Sequence, residues 1–599
     1  MGRHSHSKRA SQSSQQNRRK FIKGSVKAGA GVALASGLFK SLGATAYAAE
    51  ATFDVVVIGS GAAGMTAGLT AAKRGLQVLV IEKATKFGGS TARSGAGIWI
   101  RNNEVNQAAG VEDSLAQAEE YLAQVVGGAV PLPKQHAFLR QGPAMISFLI
   151  KNTPLRFRWM EGYSDYYPDL PGGQAQGASI EPQMFNGKIL GPDLKYLEPP
   201  YIPMPPGVTI YSADYKWLCL AKVSLNGAKK AAQAVSRYVQ SKLKGEVPLT
   251  MGQALAGGLR AGLQAARVPL WLGTPLLDVT LDNAGTVNGV IVCKDGVNTR
   301  VTAKHGVIIA AGGFEHNLEM RRKYQQAPIG TDWTVGAAGN TGDGILAGQR
   351  AGAAVELMDD AWWGPCILLL PNQPYFCLSE RSMPGSILVN GDGRRFVNES
   401  SPYHDVVNAM YRQTIVGSDL SIWLIVDQHY RDRYLFKDVL PGLPLPHAWY
   451  ENGAVKKAAS LADLAEQINI PVGDLEATVA TFNDYAESGE DRDFGRGNNA
   501  YDRYYADPSV KPNPSLAALT KAPFYAFRIQ PGDLGTKGGL KTNERSRVLR
   551  GDGTVIRGLY AAGNSSSPVM GHSYAGNGST LGPAMTFGFI AANDIADSI

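Results

Sequence analysis

Cysteine is scarce in this chain: Cys219, Cys293, Cys366 and Cys377 are the only 4 in 599 residues. Their spacings match no metal-ligand motif, and so few thiols cannot frame a chain of this size, so neither a disulfide scaffold nor a thiolate metal site organises it. Long apolar runs are missing as well. No stretch of about 18 strongly apolar residues follows the N-terminal region, which argues against a transmembrane span. Internal repeats and coiled-coil heptads are absent. An excess of charge is also absent from most of the chain, although the formal net charge is +8. Residues 1–49 hold 9 Lys or Arg and no acid, which leaves 50 basic against 51 acidic residues in the remainder. The basic balance therefore belongs to the leader, and nucleic-acid binding loses its motive.

That leader has the parts of an export signal. A basic stretch, Arg18-Arg19-Lys20-Phe21-Ile22-Lys23, precedes a weakly apolar run from Gly24 to Leu42, and Ala46-Tyr47-Ala48 offers small residues for cleavage after Ala48. The paired arginines followed by Phe-Ile-Lys resemble a twin-arginine signal over residues 1–48, with Asn17 where Ser or Thr is usual. The resemblance implies export of a folded, cofactor-loaded protein to the periplasm or the membrane periphery. A retained amphipathic anchor, which would keep the protein cytoplasmic or membrane-associated, is the competing reading.

Glycine is abundant, at 70 residues, and one cluster of it is placed for chemistry. Phe53 to Ile58 reads as a buried parallel strand, Gly59-Ser60-Gly61-Ala62-Ala63-Gly64 is GxGxxG, and Met65 to Arg74 has helical spacing. A second strand, Gln77 to Ile81, ends at Glu82 and Lys83. In this order the glycines permit a tight turn against a pyrophosphate, the helix N-terminus offers free N–H groups, and Glu82 accepts bonds from a ribose diol. A lone GxGxxG also fits an ordinary βα turn, but the strand before it and the acid after it favour an adenine dinucleotide.

Two more strands break into glycine: Val307 to Gly313, including Ala311 and Gly312, and Gly558 to Asn564, including Gly563. Three distant segments thus share one α/β fold, a discontinuous Rossmann-like domain expected over 49–345 and 528–599. Residues 346–527, richer in aromatics and prolines, are expected to form an inserted α+β catalytic domain with the active site at the seam. At this length two domains are anticipated, since one core stops growing at roughly 250–300 residues. Residues 214–246 alternate Trp217, Leu218, Leu220, Val223, Leu225, Val235, Tyr238, Val239 and Leu243 with seven Lys or Arg. Such a stretch suits peripheral contact with anionic membrane, but a helical pair packed on the body with its lysines solvated is the more ordinary reading.

The segments 88–101 (GGSTARSGAGIWIR), 165–182 (DYYPDLPGGQAQGASIEP), 398–403 (NESSPY) and 569–588 (VMGHSYAGNGSTLGPAMTFG) resemble the flavin and active-site motifs of the 3-ketosteroid dehydrogenases that desaturate carbons 1 and 2. These are FAD-dependent relatives of the fumarate reductase flavoprotein, and the resemblance spans roughly residues 53–597. Ala575 and Asn577 stand where members often carry prolines. The resemblance implies hydride transfer from C1 to flavin N5, proton loss from C2 to Tyr403, and a C3 carbonyl oxygen held by the Tyr574 hydroxyl and the Gly578 N–H. It makes Tyr166 the assisting phenol, with Tyr167 and Tyr163 as close competitors. Gly88, Gly89, Ser90 and Thr91 are expected along the flavin and pyrophosphate, with Thr580 and Leu581 opening the C-terminal flavin helix. Asn564 stands where related flavoproteins often have an acid. An external electron acceptor such as a quinone and a steroid or sterol-derived substrate complete the expectation; no metal is implied.

Four other readings remain open on the residues. A fumarate-reductase-type enzyme needs arginines to clamp two carboxylates, and Ser579-Thr580 stand near where that family has one. The sister activity that desaturates carbons 4 and 5 would use the same flavin and carbonyl grip. A non-catalytic sterol-binding flavoprotein and a nicotinamide dehydrogenase are the others; the two further glycine exits favour FAD.

Overall fold

Val55, Val56, Val57 and Ile58 are all buried, so this run has no solvent face and belongs in the middle of a parallel sheet. In the computed structural model, which describes residues 48–413 and 420–599, it lies in the strand Ala48–Ile58. The rest of the expected export signal is outside the described residues. Everything from Glu50 to Ile599 forms one unit by its contacts.

The eight-stranded sheet is assembled from both ends of the chain. Its path runs Arg547–Leu549, Val555–Ala561, Val297–Ile309, Ala48–Ile58, Val78–Ile81 and Leu270–Trp271. Ala48–Ile58 pairs in parallel with Val78–Ile81, and Val297–Ile309 with Val555–Ala561. Antiparallel strands Leu276–Leu281 and Val287–Lys294 extend from Val297–Ile309. The three expected glycine exits thus fall side by side at the ends of neighbouring strands, where open α/β sheets bind ligands.

The first helix spans Ala62–Lys73 and so starts inside the glycine turn, three residues ahead of the expected Met65. Gly61 is its extended cap, and Thr91 Oγ1 accepts from Ala62 N at 2.9 Å, which satisfies an amide that otherwise lacks a partner. The C-terminal helix, Leu581–Asp597, crosses it closely: a Cβ on Gly588 would sit 2.4 Å from the Ala63 carbonyl oxygen.

Strands inserted between these segments are antiparallel. Ser386–Val389, Trp423–Asp427, Phe524–Arg528 and Val455–Ala458 form one sheet in that order, and Gln373–Phe376, Ala361–Leu370 and Gln530–Thr536 another. A small sheet of Ile98–Trp99, Ser179–Pro182 and Phe157–Trp159 lies beneath the C-terminal glycine loop. Residues 214–246 hold two helices, Tyr215–Cys219 and Leu225–Leu243. On the longer one Gly227, Ala234 and Ser241 face inward, whereas Leu225, Val235, Val239 and Leu243 are exposed. Among the described residues no helix is long and apolar enough to cross a membrane.

Candidate active site

The glycine exits open into one cavity of about 2080 Å³, its opening to solvent included. Its wall runs from Gly59, Ser60, Gly61, Ala62 and Ala63 past Glu82 and Lys83 to Gly89, Ser90 and Thr91. It continues through Ala311, Gly312, Gly563 and Asn564 to Gly578, Thr580 and Leu581. Two expected cofactor residues stand behind the wall. Gly64 lets the helix press on the strand, since a Cβ there would lie 2.0 Å from the Gly59 carbonyl oxygen. Gly88 has φ +107° and donates its N–H to Ser60 Oγ at 3.1 Å.

The wall suits a dinucleotide. Glu82 is fixed in place by the Ser60 N–H and hydroxyl at 3.0 and 2.7 Å and by Ala84 N at 2.9 Å, and a carboxylate so held has lone pairs left for a diol. Lys83 is paired with Asp343 at 2.5 Å and with Thr341 at 2.7 Å. Asn564 accepts from Trp362 Nε1 at 3.0 Å, which orients its amide at the cavity. Asn340, not anticipated from the sequence, links Ser90 Oγ at 3.0 Å to the buried carboxylate of Glu315 at 2.6 Å.

At the other end the cavity meets three phenols. Tyr403 and Tyr574 line it, and Tyr166 stands behind Tyr403, donating its hydroxyl at 2.8 Å. Tyr166, Tyr403 and Tyr574 pack with ring centroids 5.2–5.5 Å apart, all three buried. Of the two competitors, Tyr167 turns away to bond Asp405 at 3.0 Å, and Tyr163 lines the cavity stacked on Tyr504 at 4.1 Å. Tyr403 is the first residue of the helix Tyr403–Arg412, directly after Pro402, and its ring meets that of Tyr574 edge-on at 5.2 Å.

Gly578 has φ +96°, and a Cβ there would fall 2.3 Å from the Gly97 backbone. Only glycine fits. Among the described residues its N–H has no protein acceptor, while its carbonyl accepts from Trp99 N at 3.2 Å and Gly582 N at 2.9 Å. The loop from Tyr574 to Thr580 thus brings a phenol and a glycine with an unpaired amide to the cavity wall.

Burial governs the electrostatics. It raises the Tyr403 and Tyr166 phenols well above their ordinary value; the neighbouring phenols add to this, and donation from Tyr166 lowers Tyr403 in part. Tyr574 is pushed up to about 12 by burial, offset by bonding to Tyr403 and Thr580. Behind Tyr574, the buried Lys537 ammonium contacts Asp360 at 3.0 Å, His404 at 3.1 Å and the Ser573 carbonyl at 3.1 Å. Tyr501 and Tyr505 complete an aromatic cluster around Tyr166 and Tyr163. The run Tyr501-Asp502-Arg503-Tyr504-Tyr505 carried that signal in its aromatic density; Phe376, Leu378 and Leu534, which also line the cavity, had no such marker.

Residues 54–581 match the family described as FAD binding domain. The 3-oxosteroid 1-dehydrogenase of Mycolicibacterium smegmatis is 50% identical over 92% of this chain and 98% of its own. The crystal structure of 3-ketosteroid delta1-dehydrogenase from Sterolibacterium denitrificans, in complex with 1,4-androstadiene-3,17-dione, superposes with a TM-score of 0.86 at 38% identity. The match covers 92% of this chain and 100% of that one. A 3-ketosteroid-delta4-(5alpha)-dehydrogenase from Rhodococcus jostii shares the fold, with a TM-score of 0.62 at 21% identity over 92% and 98% of the two chains. With a cavity shaped for FAD and relatives of this identity over nearly their whole length, the chain belongs to the FAD-dependent 3-oxosteroid 1-dehydrogenase family.

Proposed function

We propose that the protein removes hydrogens from C1 and C2 of 3-ketosteroids, converting a 3-oxo-4-ene to a 3-oxo-1,4-diene, with FAD held between Gly59 and Leu581. The observation that carries this reading is the Tyr166–Tyr403 pair set beside Tyr574 and Gly578 at the far end of a dinucleotide cavity. The protein must bind the ketone, acidify its α carbon and take the proton. The Tyr574 hydroxyl and Gly578 N–H grip the C3 oxygen, and their bonds strengthen as enolate charge develops there. Tyr403 takes the C2 proton, and the bond from Tyr166 stabilises Tyr403 in its anionic form. Apolar neighbours Phe376, Leu378 and Leu534 keep water from the developing charge. Bound FAD supplies the acceptor for the hydrogen leaving C1.

Electrons then pass to an external quinone-type carrier. Export by the twin-arginine-type leader and contact of the helix Leu225–Leu243 with anionic membrane complete the proposal. Its exposed leucines and valines, flanked by Lys229, Lys230, Lys242 and Lys244, support that contact. The decisive test is anaerobic addition of a 3-oxo-4-ene steroid while following flavin absorbance. Bleaching with a 1,4-diene product supports the reading. A flavin that stays yellow rejects it, and a 5α-dihydro substrate oxidised only at carbons 4 and 5 reassigns the position.

A further inference from the structure

Beneath the glycine loop lies a polar cluster that the proposed chemistry does not use. Asp165 immediately precedes Tyr166, and its carboxylate is fully buried. Its Oδ1 accepts from Trp99 Nε1 at 2.8 Å, and its Oδ2 accepts from Gln174 N at 3.2 Å and pairs with Arg101 at 3.3 Å. Arg101 is equally buried, yet gives its bidentate fork to Asp113, at 2.8 and 2.7 Å. Two carboxylates thus share one guanidinium out of water, and Asp165 receives the poorer share. The long contact to Arg101 alone would not offset the burial of this second anion, so the two N–H donors, from Trp99 and Gln174, are part of what holds it.

Geometry gives the cluster another use. Trp99 is bonded at both ends to opposite halves of the site. Its indole N–H holds the residue before Tyr166, while its main-chain N–H donates at 3.2 Å to the carbonyl of Gly578, a residue that lines the cavity. Its ring fills the space under Gly576, where a Cβ would lie 2.5 Å from the indole. Alongside, the Ala575 carbonyl accepts from Tyr166 N at 3.1 Å and from the Tyr121 hydroxyl at 2.6 Å, and Tyr121 in turn accepts from Tyr167 N at 3.3 Å.

We propose that Trp99, Asp165 and Arg101 are positioning residues that fix the Tyr166 hydroxyl and the Gly578 amide in one register, so that the proton acceptor and the oxygen donors close on the same ring together. Asp165 supplies the fixed acceptor for the indole, and Arg101, anchored on Asp113 and on the Gly172 carbonyl at 3.1 Å, keeps that carboxylate from turning. The inference rests on the ketosteroid reading: if the wild-type protein turns over no ketosteroid, that reading falls first.

The test compares holoenzymes of Trp99→Phe, Asp165→Ala, Asp165→Asn and the Trp99→Phe/Asp165→Ala double variant, with flavin occupancy and Tm measured beside kcat and KM. A loss of register costs at least about tenfold in kcat in Trp99→Phe and in Asp165→Ala at full flavin occupancy, with KM changing by less than about threefold. The double variant is then no slower than its slower parent, because one strut is broken twice. Asp165→Asn keeps an acceptor for the indole and recovers most of the lost kcat. Wild-type turnover with Trp99→Phe and Asp165→Ala both within about twofold of it overturns the inference, as do losses that multiply in the double variant. Asp165→Asn as slow as Asp165→Ala also overturns it. Should Asp165→Ala not fold, Trp99→Phe decides by its kcat at full occupancy: a loss of about tenfold supports the strut and wild-type kcat removes it.

Discussion

Burial lifts the Tyr403 phenol well above its ordinary value, and the bond from Tyr166 works against that rise. At neutral pH the group is therefore protonated in the free protein, and only its small ionised fraction accepts a proton. With Tyr403 as the proposed acceptor, raising the pH enlarges that fraction, so kcat/KM rises up to about tenfold per unit through the alkaline range, an increase that stopped-flow flavin reduction at limiting substrate measures. Tyr403→Phe removes the acceptor and lowers the reduction rate by about 10²–10⁴-fold with flavin occupancy unchanged; near wild-type rates would reject the assignment. Tyr574→Phe removes one donor to the C3 oxygen and costs roughly 10²–10³ in kcat. A different residue sets the pH dependence of stability. Glu315 is raised from 4.5 to about 7 by burial, with Asp533 adding to the rise. The folded state thus binds its proton more tightly than the unfolded state does. The resulting stabilisation is complete below the unfolded value and is lost as pH climbs through 7, by about 3 kcal/mol at most. Glu315→Gln flattens the fall of Tm between pH 5 and 8; an unchanged slope would place the titration elsewhere.

Among the elements, the strand, turn and helix at 53–74 were legible because a buried strand needs an unbroken apolar run and the turn needs glycine. The strand begins at Ala48 rather than Phe53, and the helix spans Ala62–Lys73 rather than Met65 to Arg74; its earlier start is set by Thr91, which satisfies Ala62 N from 29 positions away. The same limit explains the tyrosines. Sequence order put Tyr166 and Tyr167 in one motif with Tyr163 just before it, yet which of them meets Tyr403 depends on a backbone bond from Tyr166 to Ala575, a contact no local pattern encodes. The sequence also left two readings for 214–246. The longer helix turns its small residues inward and its leucines outward, which a periodicity of apolar residues cannot distinguish from the reverse. Element packing makes its own prediction. Gly588→Ala places a methyl 2.4 Å from the Ala63 carbonyl, and forcing the two flavin-side helices apart costs about 1–3 kcal/mol. Thermal unfolding checks it.

For the molecule as a whole, charge is segregated rather than large: the basic excess sits in the leader, and the remainder is balanced. Binding to anionic vesicles, if it occurs through the exposed helix, must then depend on a handful of lysines and weaken with salt. Replacing Lys229, Lys230, Lys242 and Lys244 by Gln in protein lacking residues 1–48 should release it from such vesicles; unchanged sedimentation would count against the contact. Finally, Tyr166 and Tyr403 meet across 237 positions of sequence. In the proposed mechanism neither motif acts alone, and the colour that FAD lends the protein reports only the nucleotide half. A preparation heated until the two halves part by an ångström would stay bright yellow while turning nothing over, so pigment is a poor certificate of a working enzyme.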